Sequence, residues 1–296
     1  MKYFTVIVSL VASVILASST QSPNRASILG EGIISTGNNL SQAISPEGDE
    51  IYFARMSEDR VWDIFYSKWE NDSWSEPEIA SFSSPYTDAD PYFTADGQKL
   101  FFLSSRPVLE GEEPRQMPDI WYVEKTDQGW SDPVNLEEIN TVEFGETFMS
   151  LTNNGDIVFA SNRGTDKEHS IFIAKFNSTG YDTPKPFPAN VKVEGFANPL
   201  IARDGSYLIF ESDLYEGYGG DDLYITFKEG ESWTEPVNLG LEVNTEFVEG
   251  GPFVTDDGRH LIFARLDTSV DELKSDLYQI AFQPILKKAK EKAELE

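Results

Sequence analysis

The 296-residue chain contains no cysteine and only two histidines, and its 23 lysines and arginines are outnumbered by 51 aspartates and glutamates. The absence of cysteine excludes disulfide bonds and a lipid anchor on cysteine, and it is compatible with an oxidising compartment. The formal net charge of -28 repels phosphate backbones and anionic lipid surfaces. We therefore expect no nucleic-acid partner. The acidity predicts either plain solubility or a cationic ligand or partner.

Metal ligands are as scarce as cysteine. His169 lies in a polar stretch and His260 beside a turn, and neither has a second histidine at ligand spacing. Asp213, Asp221 and Asp222 offer oxygen ligands for calcium in a glycine-rich stretch, although the spacing is not that of an EF-hand loop. A structural connector is the alternative interpretation of that stretch. We predict no cofactor, with calcium at these three acids as the exception to test.

Long apolar runs are missing beyond the first residues of the chain. The run from Tyr3 to Ala17 is shorter than the roughly 20 residues that cross a bilayer, and Ala17 and Ser19 are small residues typical of a cleavage site. The predicted division is a signal peptide, one single domain and a charged tail, at residues 1–19, 20–283 and 284–296. We expect a periplasmic or secreted monomer without a transmembrane anchor, whose tail is a short surface helix or disordered.

One strand-turn-strand unit occurs five times in the rest of the chain. In each copy an apolar run enters a glycine turn and leaves it in a second apolar run that contains phenylalanine. The turn glycines are Gly48, Gly97, Gly155, Gly205 and Gly258, which are 49, 58, 50 and 53 residues apart. Repeats of this length are typical of stacked or radial architectures, because one unit alone cannot bury its apolar faces.

The fourth copy shows the whole unit as four strands, predicted at residues 198–202, 207–212, 222–228 and 233–239. An Asp-Gly turn joins the first two strands, because glycine adopts positive φ without a steric cost. The third strand alternates aromatic and other residues behind an acid, which is typical of a half-buried strand. The fourth strand carries Trp-x-x-Pro, and proline, which has no N–H, indicates a sheet edge. We therefore predict that the fourth strand is outermost and the first strand innermost.

Sheets of four antiparallel strands repeated around an axis predict an all-β fold, a five-bladed β-propeller, with six blades as the alternative. The fifth copy lacks a Trp-x-x-Pro strand, whereas the segment from Ile28 to Thr36 belongs to no copy. We predict that this N-terminal segment supplies the missing strand and closes the ring, which removes two open sheet edges. In the third copy, the turn at Gly155 is predicted to be one residue tighter than the others.

The motif Pro-x-x-x-x-Asp-Gly-x-x-Leu-x-Phe, followed by Asp-Leu-Tyr and Trp-x-x-Pro-x-x-Leu, resembles the WD40-like β-propeller repeat, PD40, of TolB-type periplasmic propellers. The best stretch runs from Tyr215 through Trp233 to Pro252, and the resemblance covers about residues 40–282. This resemblance implies a propeller that acts mainly as a binding scaffold. Its expected partner is an envelope protein or peptide, or a glycan.

Strand directions place a candidate binding site at one mouth of the predicted channel. Acids lie in the connections that enter the inner strands, and arginines lie at the ends of the second strands. The predicted binding residues are Asp88, Asp90, Glu146, Glu249, Arg55, Arg106, Arg163 and Arg265. They are interpreted either as ion pairs that join the blades or as a charged funnel for a peptide, sugar or cation.

We predict a non-enzymatic, exported scaffold of the cell envelope that binds a protein or a glycan. The alternative is a glycoside hydrolase or lyase with two carboxylates at the channel mouth, about 5.5 Å or about 6.5 to 9.5 Å apart. Asp88, Glu146 and Glu249 recur at similar positions of their copies, which favours a structural role. No catalytic residue is therefore predicted. A unique acid among non-acidic counterparts would be stronger evidence for catalysis.

Overall fold

The computed structural model describes residues 25–58, 61–164, 170–193, 197–270 and 274–295. The predicted signal peptide and His169 lie outside these residues. Within them, a short strand, β1 (Ser27–Ile28), comes before the strands of five antiparallel blades that surround a central axis, and a separate two-stranded sheet lies in the third blade. Neighbouring sheets contact each other through their inner strands, and the last sheet contacts the first. The all-β, five-bladed propeller predicted from the repeats is confirmed.

The strands of each blade follow one another from the axis outward. Blade one contains β2 (Asn39–Ile44), β3 (Glu50–Met56), β4 (Trp62–Glu70), β5 (Ser73–Trp74) and β6 (Glu78–Ile79). Blade two contains β7 (Asp88–Phe93), β8 (Lys99–Ser104), β9 (Asp119–Thr126), β10 (Gly129–Trp130) and β11 (Val134–Asn135). Blade three contains β12 (Glu146–Leu151), β13 (Ile157–Ser161), β14 (Ser170–Ala174), β15 (Phe176–Asn177), β16 (Gly180–Tyr181) and β17 (Lys185–Pro186). Blade four contains β18 (Leu200–Ile201), β19 (Tyr207–Ser212), β20 (Asp222–Glu229), β21 (Ser232–Trp233) and β22 (Val237–Asn238), and blade five contains β23 (Val248–Val254), β24 (His260–Leu266) and β25 (Ser275–Ala281).

The glycine turns have the same hydrogen bond in every blade, from the glycine N–H to the carbonyl three residues earlier, at 2.7–2.9 Å. Their glycines have φ between 65° and 83°, where a side chain would be strained. The third turn is one residue tighter, as predicted, because Thr152 bonds Asp156 where Thr94 bonds Lys99. Each turn leads into a second strand with a fully buried phenylalanine that packs in the core. These are Phe53, Phe102, Phe159, Phe210 and Phe263.

The outer strand of blades one, two and four is divided into two short pieces around the Trp-x-x-Pro motif. In blade one, β5 pairs with the lower part of β4, and β6 pairs with its middle. Pro77 lies between the two pieces and cannot donate to the ladder. The predicted outer position of this strand is confirmed, but its hydrogen bonding to the third strand is interrupted.

The N-terminal segment closes the ring by pairing with the last blade. Ser27 and Ile28 pair antiparallel with Gln279 and Tyr278 of β25. The strand is shorter than the predicted segment, because the chain turns at Gly30, which has φ of 55°. Ser35 Oγ then donates to the carbonyl of Leu29 at 2.7 Å, so that the turn is held against the new outer strand.

The inner strands share a backbone feature that the sequence did not predict. In each blade one residue at the axis has positive φ, between 38° and 57°. The residues are Ser41, Asp90, Phe148, Asn198 and Gly251. In four blades the ladder register shifts at this residue, as in a β-bulge. These five residues form a ring, and they differ in chemistry from one blade to the next.

The C-terminal segment forms the helix α1 (Phe282–Ala293), which packs against blade four. Phe282, Ile285 and Ala289 are its buried residues. Lys288 Nζ lies 2.8 Å from Glu242 Oε1. In the described part of the chain, no helix has the length and apolar composition needed to cross a membrane.

Candidate functional site

Six of the predicted binding residues form three ion pairs. The pairs are Asp88 with Arg106, Glu146 with Arg163, and Glu249 with Arg265. The nitrogen-oxygen distance is 2.9 Å in the first pair and 2.7 Å in the third. The three carboxylates are fully buried. A buried carboxylate requires such a partner, because an isolated charge is costly to remove from water.

The arginines of the three ion pairs lie at equivalent positions in their blades, although Arg265 and Arg106 differ in their position relative to the acid in the strand ladder. Arg265 lies directly opposite Glu249 in the ladder of β23 and β24. In blade two, Ser104 lies opposite Asp88, and Arg106 follows two residues later. A shift of two residues keeps a side chain on the same face of an extended chain. Ser104 Oγ accepts a hydrogen bond from Arg106 Nε at 2.7 Å, and blade three repeats this arrangement at 3.1 Å.

Each of the four predicted arginines also binds the backbone of the segment that enters its blade. Arg55, Arg106, Arg163 and Arg265 donate from Nη2 to the carbonyls of Ile33, Phe82, Ile139 and Val243, at 2.8–2.9 Å. Each guanidinium also lies 4.3–5.7 Å from the centroids of two aromatic rings. These contacts give the arginines a structural role. A direct part in ligand binding stays a prediction.

Blades one and four depart from this pattern. In blade one, Asn39 lies opposite Arg55 where other blades have an acid. Arg55 Nε has no hydrogen-bond partner among the described residues, and burial lowers the pKa of this guanidinium from its ordinary value. In blade four, Ser212 Oγ donates to the carbonyl of Lys192 at 2.9 Å in place of an arginine.

Asp90 lies apart from the ion pairs, at the central axis. A cavity of about 30 Å³ is lined there by residues of all five blades, and of the eight predicted residues Asp90 alone is among them. This volume admits one or two water molecules. It is far below the about 300 Å³ at which pockets for organic ligands begin. The axis therefore has no space for a sugar ring in this structure.

Hydrogen bonds connect Asp90 to the two neighbouring blades. Its backbone N–H donates to Ser41 Oγ at 3.1 Å, and its carboxylate accepts a hydrogen bond from the backbone of Phe148. Burial raises the pKa of Asp90 to about 7, although a hydrogen bond between the side chains of Asp90 and Ser41 and the bond from the Phe148 backbone act in the opposite direction. At neutral pH, a large fraction of this carboxyl group is therefore protonated.

Glu211 is a second buried carboxyl group near the axis, and it was not among the residues predicted from the sequence. It accepts hydrogen bonds from Asn198 Nδ2 and from the backbone of Gly251. Burial raises the pKa of Glu211 well above its usual value, and the charges of Asp221 and Asp90 add to the rise. Both effects favour the protonated form of this group.

The repeat itself contained a signal for Glu211. In each blade, the residue after the buried phenylalanine occupies the same position of the second strand. The counterparts of Glu211 in the other blades are Ala54, Leu103, Ala160 and Ala264. Glu211 is thus a unique acid among apolar counterparts, which favours a specific role over the recurrent structural role of the ion pairs.

The axis contains three side-chain oxygens that are buried and have no hydrogen-bond partner among the described residues. They are Gln42 Oε1, Asp90 Oδ1 and Asn198 Oδ1. The amide oxygens can only accept hydrogen bonds, and Asp90 can accept or carry a proton. Such a group of oxygens suits a water molecule, a small cation or a shared proton.

The calcium candidates of blade four do not converge on a common point. Asp222 Oδ2 accepts from the backbone N–H of Tyr218 at 2.9 Å and from Asn238 Nδ2 at 2.7 Å. The pKa of Asp221 is raised by burial first and then by the charges of Asp213 and Asp222. Across the ranges that the structure describes, no three histidine, cysteine or acidic side chains are grouped to hold a metal ion.

Surface concavities of the described residues include two that are large enough for an organic ligand. The first, of about 730 Å³, lies between residues 105–118, which connect β8 to β9, and residues 140–145, which lead into β12. We call it the blade two-three groove. The second, of about 420 Å³, lies between the outer strands of blades one and two and includes Tyr66 and Trp130. Both volumes are in the range of binding pockets.

Comparison with known proteins shows relatives in fold. No protein-family model and no curated protein sequence matches the chain. Among solved structures, a protein described as TolB from Agrobacterium tumefaciens is 12% identical with a TM-score of 0.51, over 81% of this chain and 76% of that one. The catalytic domain of a GH62 α-L-arabinofuranosidase from Coprinopsis cinerea is 10% identical with a TM-score of 0.51, over 87% and 95%.

TolB from Acinetobacter baumannii is also similar, with 14% identity and a TM-score of 0.49 over 82% of this chain. The chain spans about half, 54%, of that protein's length. At these identities the similarity shows the fold alone, and the fold is common to a TolB and to a glycosidase domain. The chain is thus a propeller similar in fold to TolB, and membership of the PD40 family stays a prediction.

Proposed function

We propose that the chain is an exported β-propeller scaffold of the cell envelope that binds a partner protein. The observation that carries this proposal is the pairing of the three recurrent acids, Asp88, Glu146 and Glu249, with arginines of their own blades. A carboxylate buried in such a pair is not free to act as a general acid or a nucleophile. The acids that the sequence places at the channel mouth therefore favour a rigid scaffold over a catalytic centre.

The blade two-three groove supports the same proposal, because it is an open concavity on the face where the inner strands begin. Loops on a rigid framework are the usual location of binding residues. The envelope location rests on the predicted signal peptide at residues 1–19. It agrees with the similarity in fold to TolB from Agrobacterium tumefaciens.

Affinity capture tests the scaffold function. Residues 20–296 would be immobilised and exposed to envelope extract at physiological salt, with the urea-unfolded and washed chain as the control surface. We expect a small set of envelope proteins to be retained by the folded chain alone and to be cross-linked to it in intact cells. Retention of no protein, or of the same proteins by both surfaces, contradicts the proposal.

A hydrolase is the second candidate, and the pair Asp90 and Glu211 is the observation that favours it, although the cavity of about 30 Å³ beside Asp90 would have to widen to admit a sugar ring. Both carboxyl groups are buried without an arginine partner, and burial raises the pKa of each. A raised pKa is a property of general acids in glycoside hydrolysis. Turnover of any member of a glycan panel, lost in Asp90→Asn and in Glu211→Gln but kept in Asp132→Asn, would replace the scaffold proposal by this one.

A further inference from the structure

The blade two-three groove has a floor and walls of aliphatic and aromatic side chains. Leu109 and Val142 lie on its two loops and are 63% and 87% exposed. Val108, Met117 and Phe144 also line it. Exposed apolar side chains that converge from two loops are typical of an interaction site. The groove therefore offers apolar surface to a partner rather than to the core of the molecule.

The rim of the groove is acidic. Glu112, Glu113 and Glu143 line it, and no ion pair to these three glutamates is found in the described residues. Arg115 is the one basic residue of the lining, and its guanidinium is already bound to Asp119 Oδ1 at 3.1 Å and to the carbonyl of Thr141 at 2.5 Å. The groove thus presents negative charge to a partner, in keeping with the net charge of -28.

The two loops are held to each other without a ligand. Arg115 joins them through the carbonyl of Thr141, and the N–H of Glu146 donates to the carbonyl of Pro118 at 3.1 Å. Gly145 lies so close to Met117 that a Cβ there would be 2.4 Å from the Met117 Cβ. A groove with this internal bonding loses little conformational freedom on binding, which favours affinity.

We propose that the blade two-three groove binds an extended peptide segment in which aliphatic side chains alternate with lysine or arginine. The aliphatic side chains cover Leu109 and Val142, and the basic side chains lie beside the three glutamates. This inference rests on the proposed scaffold function, because it names the chemistry of the partner that the scaffold takes. Opposite charge accelerates association, and burial of the aliphatic groups slows dissociation.

Fluorescence anisotropy with labelled ten-residue peptides tests this inference. Three peptides would be compared, with alternating lysine and leucine, glutamate and leucine, or lysine and serine. We expect the lysine-leucine peptide to bind at least about tenfold more tightly than either of the others, because they lack one of the two complementary features. Its affinity should fall as NaCl is raised. Equal binding of the glutamate-leucine peptide overturns the inference.

Matched variants locate the binding. The double variant Leu109→Ser and Val142→Ser should weaken binding of the lysine-leucine peptide at least about tenfold, whereas Leu241→Ser, which changes an exposed leucine near α1, should leave it unchanged. The triple variant Glu112→Gln, Glu113→Gln and Glu143→Gln should weaken binding and reduce its salt dependence. The triple variant Glu229→Gln, Glu231→Gln and Glu235→Gln removes the same charge from blade four and should do neither.

The substituted residues are exposed, so circular dichroism and thermal unfolding should show that the variants are folded. An equal loss of binding in the groove variants and the control variants overturns the inference.

The failure of the groove inference can be distinguished from the failure of the scaffold proposal. If the double variant Leu109→Ser and Val142→Ser still captures the envelope partner while no peptide binds, the scaffold function stands and the groove is not its site. If no envelope protein is captured by the wild-type chain, the scaffold proposal itself fails.

Discussion

At the scale of single residues, acids of this propeller serve in two different environments. Asp88, Glu146 and Glu249 are buried beside arginines, whereas Asp90 and Glu211 are buried beside neutral hydrogen-bond donors. An arginine stabilises the ionised form, and burial without a positive charge stabilises the protonated form. At Glu146 burial is the larger effect, and it raises the pKa to about 7 although the charge of Arg163 acts in the opposite direction.

The raised pKa of Asp90 predicts a loss of stability as pH rises. Because its pKa is about 7 in the folded chain and about 4 when unfolded, the folded state binds the extra proton between these values. The contribution is fully present below pH 4 and is lost as pH rises to about 7, on the order of 4 kcal/mol in all. Asp90→Asn should flatten the pH dependence of the free energy of unfolding over this window, measured by urea denaturation.

The control for Asp90→Asn is Asp132→Asn, which changes an exposed aspartate. It should leave the slope of stability against pH unchanged. Glu211→Gln should also remove part of the wild-type slope, because the pKa of Glu211 is raised as well. An unchanged slope in Asp90→Asn would show that the carboxyl group titrates alike in the folded and unfolded chain.

A comparison of two arginines separates the contribution of the ion pair to the free energy of unfolding from that of the other arginine contacts. Arg55 donates to two backbone carbonyls and Arg163 to one, and both lie over two rings, but of the two only Arg163 has a buried acid, Glu146. Arg163→Met leaves that carboxylate without its partner and should cost about 3 to 5 kcal/mol. Arg55→Met should cost about 1 to 2 kcal/mol. Urea unfolding at pH 8 measures both, and equal losses would assign no stability to the ion pair.

At the scale of elements, periodicity predicted most of the fold. The second and third strands of blade four were predicted at residues 207–212 and 222–228 and are observed as Tyr207–Ser212 and Asp222–Glu229. Alternating apolar residues and an Asp-Gly turn define such strands locally. The inner strand of blade four, predicted at residues 198–202, is observed as Leu200–Ile201.

The ring of positive-φ residues could not be predicted in the same way. Serine, aspartate, phenylalanine, asparagine and glycine occupy it, and they share neither propensity nor polarity. Packing of five inner strands around one axis imposes the conformation, which is a tertiary effect. The candidate site was also predicted only in part. The recurrence of acids and arginines predicted the ion pairs at the rim, whereas Glu211 is found only when the blades are compared position by position.

Closure of the ring by β1 predicts a local effect of destabilising it. Leu29 is fully buried, and its N–H donates to the carbonyl of Leu277 at 2.8 Å. Leu29→Ala should cost about 2 to 5 kcal/mol and should accelerate amide hydrogen exchange in β25 first, because β1 covers that edge. Leu100→Ala, which creates a similar cavity in blade two, should not accelerate β25 selectively. Uniform acceleration over all blades by Leu29→Ala would contradict closure by β1.

At the scale of the whole molecule, the excess of acids acts on every part of the propeller. The 51 acids outnumber the 23 basic residues, and the strongest ion pairs use buried groups that salt screens weakly. Most of the remaining acids are exposed and repel each other in the compact state. In the blade two-three groove, exposed acids lie beside exposed apolar side chains, and this combination distinguishes the groove from the rest of the acidic surface.

This charge balance predicts that moderate salt stabilises the chain. Raising NaCl from 0.01 M to 0.1 M shortens the screening length from about 30 Å to about 10 Å, so repulsion between blades is reduced. Tm should rise by several degrees, measured by circular dichroism at pH 7.5. Salt also weakens exposed ion pairs such as Lys288 with Glu242, but these contribute too little to stability to turn the expected rise in Tm into a fall. The variant Glu229→Gln, Glu231→Gln and Glu235→Gln, with three charges fewer, should show a smaller rise. A Tm that falls with salt would mean that attraction between surface charges exceeds their repulsion.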